Sequence, residues 1–478
     1  MGKQTVPRTA LLAGAAVAAG VTLARGLKGS GRVPGLLQSH TSGTEEEYRN
    51  ARHRVLILGA GFGGLHAALE LDRQLQRARR QAGGDGQTDS SILLADRNND
   101  LLFAPLLWVV ASGRANPSDV MVPVRAFQHG RSFHLLYGDV TSIDLKERNV
   151  TTTAGTRPYD YLVLALGSRT AVPDLPGLRE HALLFHNPAD ALQLRNHLIE
   201  AIENAHQATD SAERHEWLTF VVGGGGDTGV ELAATIHSYL VEGMFALYPW
   251  LEVEPVRIIV VGHAPRLIPM GTPKTSEAVK RTLEAQGIEV MTGVGVTGAT
   301  DRMVLTDKGE IPCRTLFWAA GITAPDIVRS LPGEHAHNGA LMVDDHLRLP
   351  GYAEVYVVGD VAWAYDAATH DAIPPTAQAA EHEGAYVGKA IAAAIHGQEA
   401  PPFRFKPLGH LALLGDYTGV AEIGPLTFTG LPAWLMWHAY YLSHIPSWRN
   451  RVHLLTDWLL SWLTGPDTTK MPLSPRKR

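Results

Sequence analysis

The chain has 478 residues, a formal net charge of −6 and a single cysteine. Its length predicts about three domains at roughly 100–200 residues each, and a content of 45% hydrophobic and 19% charged residues is that of a globular protein. The acidic balance argues against nucleic-acid binding, which selects a basic domain. The lone Cys313 excludes an intrachain disulfide framework, a CxxC dithiol, a cysteine zinc site and a cysteine-ligated iron–sulfur cluster. The histidines form no HExxH motif or Cys/His cluster, so no metal site is expected. Redox chemistry, if present, uses a bound organic cofactor or a metal held by ligands other than cysteine. Glycine is in excess, at about 10% against a usual ~7%, and the surplus is clustered.

Residues 1–50 do not resemble a folded core. Lys3 and Arg8 precede a weakly apolar run from Ala10 to Ala24, and Arg25 and Lys28 follow it. The run is short of the ~20 residues of a membrane span. A tail, an uncleaved anchor and a cleaved signal peptide all remain open.

A strand is predicted at Val55-Leu56-Ile57-Leu58, running into Gly59-Ala60-Gly61-Phe62-Gly63-Gly64 and then a helix through Leu65, Leu69, Leu71 and Leu75. After a polar loop at 81–90, a second strand at Ile92–Ala95 ends on Asp96. In such a GxGxxG unit the first glycine permits the tight turn, the second lets a pyrophosphate approach and the third lets helix pack on strand. These are Gly59, Gly61 and Gly64, with Asp96 placed to accept from ribose hydroxyls. The pattern recurs. Phe220-Val221-Val222 leads into a glycine run whose register is Gly224, Gly226 and Gly229, then a helix, then a strand from Arg257 to Val261. That strand ends on Gly262 and His263, without an acid. Further apolar runs end at Gly167, at Gly321 and at Gly359-Asp360. Two nucleotide motifs and a terminal Gly-Asp point to a flavoprotein with a nicotinamide donor.

Together, VLILGAGFGGL (55–65), ADRNNDLLFAPLLWVVA (95–111), YDYLVLALGS (159–168), GGGDTGVELA (224–233), FWAAGI (317–322), VYVVGD (355–360) and PTAQAAEHEG (375–384) resemble the two-dinucleotide flavoprotein superfamily. More narrowly, the chain resembles the type II NADH dehydrogenases, single-chain NADH:quinone oxidoreductases, over about residues 53–470. The resemblance implies an α/β fold in which an FAD domain carries a nested NAD(P)H domain, followed by a C-terminal membrane-binding region. The expected boundaries are 1–50 (tail or anchor), 51–172 and 331–400 (FAD domain), 173–330 (NAD(P)H domain) and 401–478 (membrane region). The implied FAD site takes Gly59, Gly61, Gly64, Asp96, Pro105, Gly167, Asp360 and Gln378. The implied nicotinamide site takes Gly224, Gly226, Gly229, Glu231 and Gly321. The family's AQxAxQ quinone motif keeps Gln378 and replaces its second glutamine with His382, four residues on and on the same helical face. Glu231, Gln378 and His382 are the candidate catalytic residues.

Three departures accompany the resemblance: Gly262 in place of an acid, His382 in place of glutamine, and Leu408 where a lysine is common. Without the acid a 2′-phosphate is not repelled, and His263 or Arg266 can pair with one, so both NADH and NADPH stand as donors. The expected reaction carries electrons through FAD to a membrane quinone without proton pumping. The alternatives are a related reductase with another acceptor, or a flavin-binding membrane protein that has lost turnover. Sulfide oxidation by related cysteine-based enzymes needs redox cysteines that this chain lacks.

From Ile423 to Trp448 there is no Asp, Glu, Lys or Arg. A helix from about Leu431 to Ile445 is too short to cross a bilayer. A second helix places Trp448, Val452, Leu455, Leu459 and Trp462 at helical spacing. Five of the ten tryptophans, at 434, 437, 448, 458 and 462, fall here. Trp favours membrane interfaces, as do amphipathic helices with a basic edge. A dimer interface, or a cover over the flavin domain, is the other use of these helices. The expected protein is a peripheral membrane homodimer on the cytoplasmic face of the cell membrane.

Overall fold

The computed structural model describes residues 45–81 and 89–472. The expectations for residues 1–44, and for most of the 81–90 loop, lie outside the described residues. Glu45–Asn50 is a helix. Its fully buried Tyr48 donates a 2.7 Å hydrogen bond to the Pro158 carbonyl. The packed body therefore includes the last residues of the 1–50 stretch expected to be a tail or anchor.

Two sheets organise the molecule. The first has six strands in the order Arg348–Leu349, Tyr352–Val357, Tyr161–Leu164, His53–Leu58, Ser90–Asp96 and Phe133–Tyr137. All its pairings are parallel except that of Arg348–Leu349 with Tyr352–Val357. The second has five parallel strands: Ala182–Leu184, Thr315–Trp318, Thr219–Gly223, Arg257–Gly262 and Glu289–Thr292. In each sheet the glycine-motif strand is central. Central parallel strands are covered on both faces and so read as unbroken apolar runs. Val55 to Leu58 and Phe220 to Val222 are each at most 1% exposed.

Phe62–Gln81 follows the first motif and buries Leu65, Ala68, Leu71 and Leu75, an apolar stripe at helical spacing. Ala377–Ile395 lies against it. Glycines permit this approach, because a Cβ on Gly384 would fall 2.1 Å from the Gly63 carbonyl oxygen and one on Gly388 would fall 2.7 Å from that of Ala67. The segment bearing Gln378 and His382 is thereby fixed beside the first glycine loop.

The C-terminal part is a three-stranded antiparallel sheet, His410–Leu413, Gly419–Ile423 and Leu426–Thr429, followed by helices Leu431–His444 and Trp448–Thr464. The predicted tryptophan belt divides. Trp434, Trp437 and Trp458 are 1–3% exposed and belong to the main hydrophobic core, while Trp462 is half-buried. Only Trp448, at 57%, is well exposed. The reason is that these rings fill the gap beneath the helices, packing edge to face on Trp108 and His438 and at a tilt on Tyr441. The outer side of the last helix carries Trp448, Val452, Leu460 and Leu463. Among the described residues no helix is long and apolar enough to cross a membrane.

Candidate active site

A cleft of about 610 Å³ opens where the two sheets meet. Gly59, Gly61, Asp96, Pro105, Gly167 and Asp360 line it from the first sheet. Thr228 and Glu231, from the helix Asp227–Ser238, enter the same cleft. Strands far apart in sequence thus bring their carboxyl ends to one crevice, where open α/β sheets bind ligands.

The two glycine motifs share one backbone device. Gly59 has φ +101° and Gly224 φ +137°. A Cβ on Gly64 would fall 1.8 Å from the Gly59 oxygen, and one on Gly229 would fall 1.9 Å from the Gly224 oxygen. In both, the third glycine admits close packing of helix on turn. The second glycine, Gly61 or Gly226, has nothing within 4 Å of a Cβ position and faces open space. Gly321, with φ +84°, accepts from the Ala171 N–H at 3.1 Å in the two-stranded pairing of Arg169–Thr170 with Ile322–Thr323.

Asp96 is held rigidly. Its carboxylate accepts from the Ala60 N–H at 2.6 Å and the Asn98 N–H at 2.7 Å. Burial raises its pKa, and these two donors oppose the rise. Asp360 accepts from the Ser168 hydroxyl at 2.6 Å. Beside it, Glu383 is 3% exposed and takes the Gly359 N–H at 2.5 Å. Burial, with the nearby Asp360 charge, pushes Glu383 up to about 8. Glu383 escaped the sequence reading because an acid on a helix is ordinarily solvated. Its place on the buried stripe with Ala379, Ala380 and Val387 was the available signal.

Glu231 is the fifth residue of its helix. Its Oε1 accepts from the Leu413 N–H at 3.0 Å. Burial pushes it up to about 8, the Leu413 N–H opposing and Asp227 reinforcing. A carboxyl with that pKa carries a proton at neutral pH. Gln378 and His382 behave differently from Glu231. They sit on the helix Ala377–Ile395 whose Ala377 and Ala380 line the cleft, but neither is itself among the lining residues. Gln378 accepts from the Leu408 N–H at 3.3 Å, and His382 is exposed with its ring edge-on to Phe405 at 5.6 Å. Trp108, missed in the sequence, lines the cleft with a buried Nε1 that has no partner.

At the second strand end, a Cβ on Gly262 would stand 3.3 Å from Gly225 Cα, so the two glycines pack closely. Arg266 gives Nη1 to the Gly271 carbonyl at 2.7 Å and Nη2 to that of Pro269 at 2.6 Å. His263 is left exposed beside it.

Two sheets, one wholly and one mostly parallel, each with a glycine motif and sharing one cleft, define an oxidoreductase of the dinucleotide-dependent flavoprotein class. The family model for pyridine nucleotide-disulphide oxidoreductases matches residues 53–384, and that for the NDH2 C-terminal domain matches residues 408–467. A type II NADH:quinone oxidoreductase of Mycobacterium tuberculosis is 31% identical, over 86% of this chain and 89% of the relative. A demethylphylloquinone reductase of a Synechocystis species is 30% identical, over 87% and 97% respectively. The fold matches the structure of NDH2 from Plasmodium falciparum in complex with NADH, at a TM-score of 0.76 and 20% identity, covering 87% of this chain and 99% of that one. The chain belongs to the pyridine nucleotide-disulphide oxidoreductases and, within them, to the type II NADH:quinone oxidoreductase family. It lacks that wider family's dithiol, because its one cysteine, Cys313, is buried and its thiol is pushed up to about 11 by burial.

Proposed function

We propose that the protein binds FAD in the cleft, oxidises NADH or NADPH, and passes the electrons to a membrane quinone without pumping protons. One observation carries this reading: Glu231 and Thr228 of the second glycine-motif helix enter the cleft that Gly59, Asp96 and Asp360 line from the first sheet. A donor seated on the second motif thereby reaches a flavin seated on the first.

The residues fit the flavin. The open face of Gly61 leaves room for a pyrophosphate at a helix N-terminus. Asp96 retains lone pairs for ribose hydroxyls, and Ser168 with Asp360 forms a polar pair at the opposite strand end. Bound there, the flavin supplies two-electron transfer between nicotinamide and quinone. Glu231, protonated at neutral pH, presents a neutral carboxyl to the donor and can hold or release a proton at Oε2, since Oε1 is committed to Leu413. Gln378 and His382 stand on the helix behind the cleft, and the quinone is proposed to approach from their side. His382 can donate a proton to a quinone carbonyl.

The donor is proposed to be NADH, with NADPH tolerated through the uncharged Gly262 and the exposed His263. Arg266 already serves its own loop. The proposed seat on the bilayer is the outer face of the last helix, where Trp448, Val452 and Leu463 are exposed at i, i+4 and i+15. A peripheral homodimer on the cytoplasmic face remains the proposed assembly. Anaerobic titration of the flavin-loaded protein with NADH and with NADPH, followed by steady-state turnover on benzoquinones and naphthoquinones, tests the reading. Absence of flavin bleaching by both nucleotides overturns it.

A further inference from the structure

The second glycine motif has an acid at a costly position. Asp227 is the first residue of the helix Asp227–Ser238, directly after the cap Gly226. A helix N-terminus attracts a diphosphate through its free N–H groups and partial positive charge. A carboxylate there stabilises the bare helix but sets a like charge beside an incoming nucleotide diphosphate. The corresponding residue of the first motif is Phe62, which is uncharged.

The C-terminal sheet supplies an answer to that charge. His410 Nε2 lies 2.6 Å from Asp227 Oδ1. Three residues along the same strand, the Leu413 N–H donates to Glu231. One strand thus grips two acids four residues apart on the nicotinamide helix. The ring's other nitrogen, Nδ1, is buried without a partner. The acidic groups around the ring are Asp227 and Glu231 from the helix, and Glu422, which stands opposite His410 in the strand pairing. Glu422 is itself engaged by the Thr272 hydroxyl at 3.0 Å and by the Thr275 hydroxyl. From the helix Leu431–His444, the Tyr441 phenol faces Glu231 and Asp227.

We propose that His410 is a positioning residue for the nicotinamide nucleotide: as an imidazolium it neutralises Asp227, and so keeps the second helix N-terminus able to seat a diphosphate. The inference rests on the reading that this motif binds the nicotinamide donor. Desolvation pulls the His410 pKa down, but the carboxylates, Asp227 foremost, outweigh it and leave the pKa above its ordinary value. The sign follows. Below the raised pKa the imidazolium is present and Asp227 is compensated. As pH rises through it, the compensation is lost and the nucleotide binds more weakly. The C-terminal sheet thereby conditions the donor site.

Calorimetric binding of ADP-ribose to the flavin-loaded enzyme isolates the diphosphate from hydride transfer. Asp227 is partly exposed and screened, so the effect is moderate. His410→Gln is expected to weaken ADP-ribose binding roughly three- to tenfold at pH 7. Asp227→Asn is expected to bind at least as tightly as the parent and to lose the parent's weakening at alkaline pH. The double variant Asp227→Asn/His410→Gln is expected to fall within about twofold of Asp227→Asn, since no charge is left to compensate. A contact that merely packs strand on helix predicts the opposite, a double variant as weak as His410→Gln. Unchanged affinity in His410→Gln, or no recovery in the double variant, overturns the inference. If His410→Gln does not retain flavin, parent and Asp227→Asn decide alone, and parallel pH profiles overturn it. Bleaching of the parent by NADH and by NADPH is measured alongside. Absence of both overturns the functional reading as well, whereas bleaching by either with pH-independent ADP-ribose binding overturns this inference only.

Discussion

The first and second glycine motifs are built on one backbone plan and finished differently. In both, the third glycine lies under 2 Å, by its missing Cβ, from the carbonyl oxygen of the first. In both, the second glycine opens onto free space. The strand ends differ. The first carries Asp96, locked by two backbone N–H groups. The second carries Gly262, packed on Gly225. The second motif also has an acid on its helix, Asp227, held by a histidine from another part of the chain. The backbone plan is therefore common to both motifs, and it is through the differing side chains at the strand end and first helical turn that the two sites are proposed to choose their dinucleotides.

The largest expected effect comes from breaking the shared plan in one motif at a time. Gly64→Ala sets a methyl against a backbone carbonyl that cannot move away. It should cost at least ~3 kcal/mol and yield protein without flavin absorbance. Gly229→Ala meets the same obstacle, yet should retain the yellow colour while losing bleaching by NADH. Colour lost equally in both would show that the motifs do not divide the two ligands.

Next in size is Glu231. Glu231→Ala should slow flavin reduction by NADH roughly 10- to 100-fold in stopped-flow measurements. Glu231→Gln, neutral at every pH, should retain more of the rate. It should also remove the decline expected of the parent as pH rises through about 8, where the raised carboxyl loses its proton. An unchanged pH profile in Glu231→Gln would assign that decline elsewhere.

Gly262→Asp makes the second strand end like the first. The new carboxylate repels a 2′-phosphate and accepts from a 2′-hydroxyl, so the ratio of kcat/KM for NADH over NADPH should rise about tenfold. A smaller, acceptor-side effect is expected of His382→Gln. The quinone KM should change roughly two- to fivefold, with the rate of flavin reduction by NADH unaltered. The smallest is Cys313→Ala. A buried thiol pushed up to about 11 is not a working nucleophile, so turnover should stay within about twofold.

Much of this was legible in the sequence. The strand at 55–58, the glycines that follow it and the helix through Leu75 carry periodic local signals, as do their counterparts from 220. The C-terminal helix expected at about Leu431 to Ile445 is Leu431–His444. Other features had no local signal. Five clustered tryptophans looked like an interfacial belt, but three are core, because a bulky ring fills an interior gap or meets a lipid surface with the same composition. Gln378 and His382 share a helical face as expected, yet that face is not the one lining the cleft. His410 stood in the sequence as one of 22 histidines, and its partner lies 183 residues away.

By itself the sequence determined the two nucleotide motifs, the absence of a dithiol and the family, because each rests on residues adjacent in the chain or at fixed spacing. Tertiary structure alone decided that Glu231 shares a cleft with Asp96 and Asp360, that Glu383 is buried behind Gly359, and that His410 meets Asp227. Those pairings depend on how the two sheets and the C-terminal strands pack together. Burial and opposed charge, which set the protonation of Glu231, Glu383 and His410, exist only after that packing has formed.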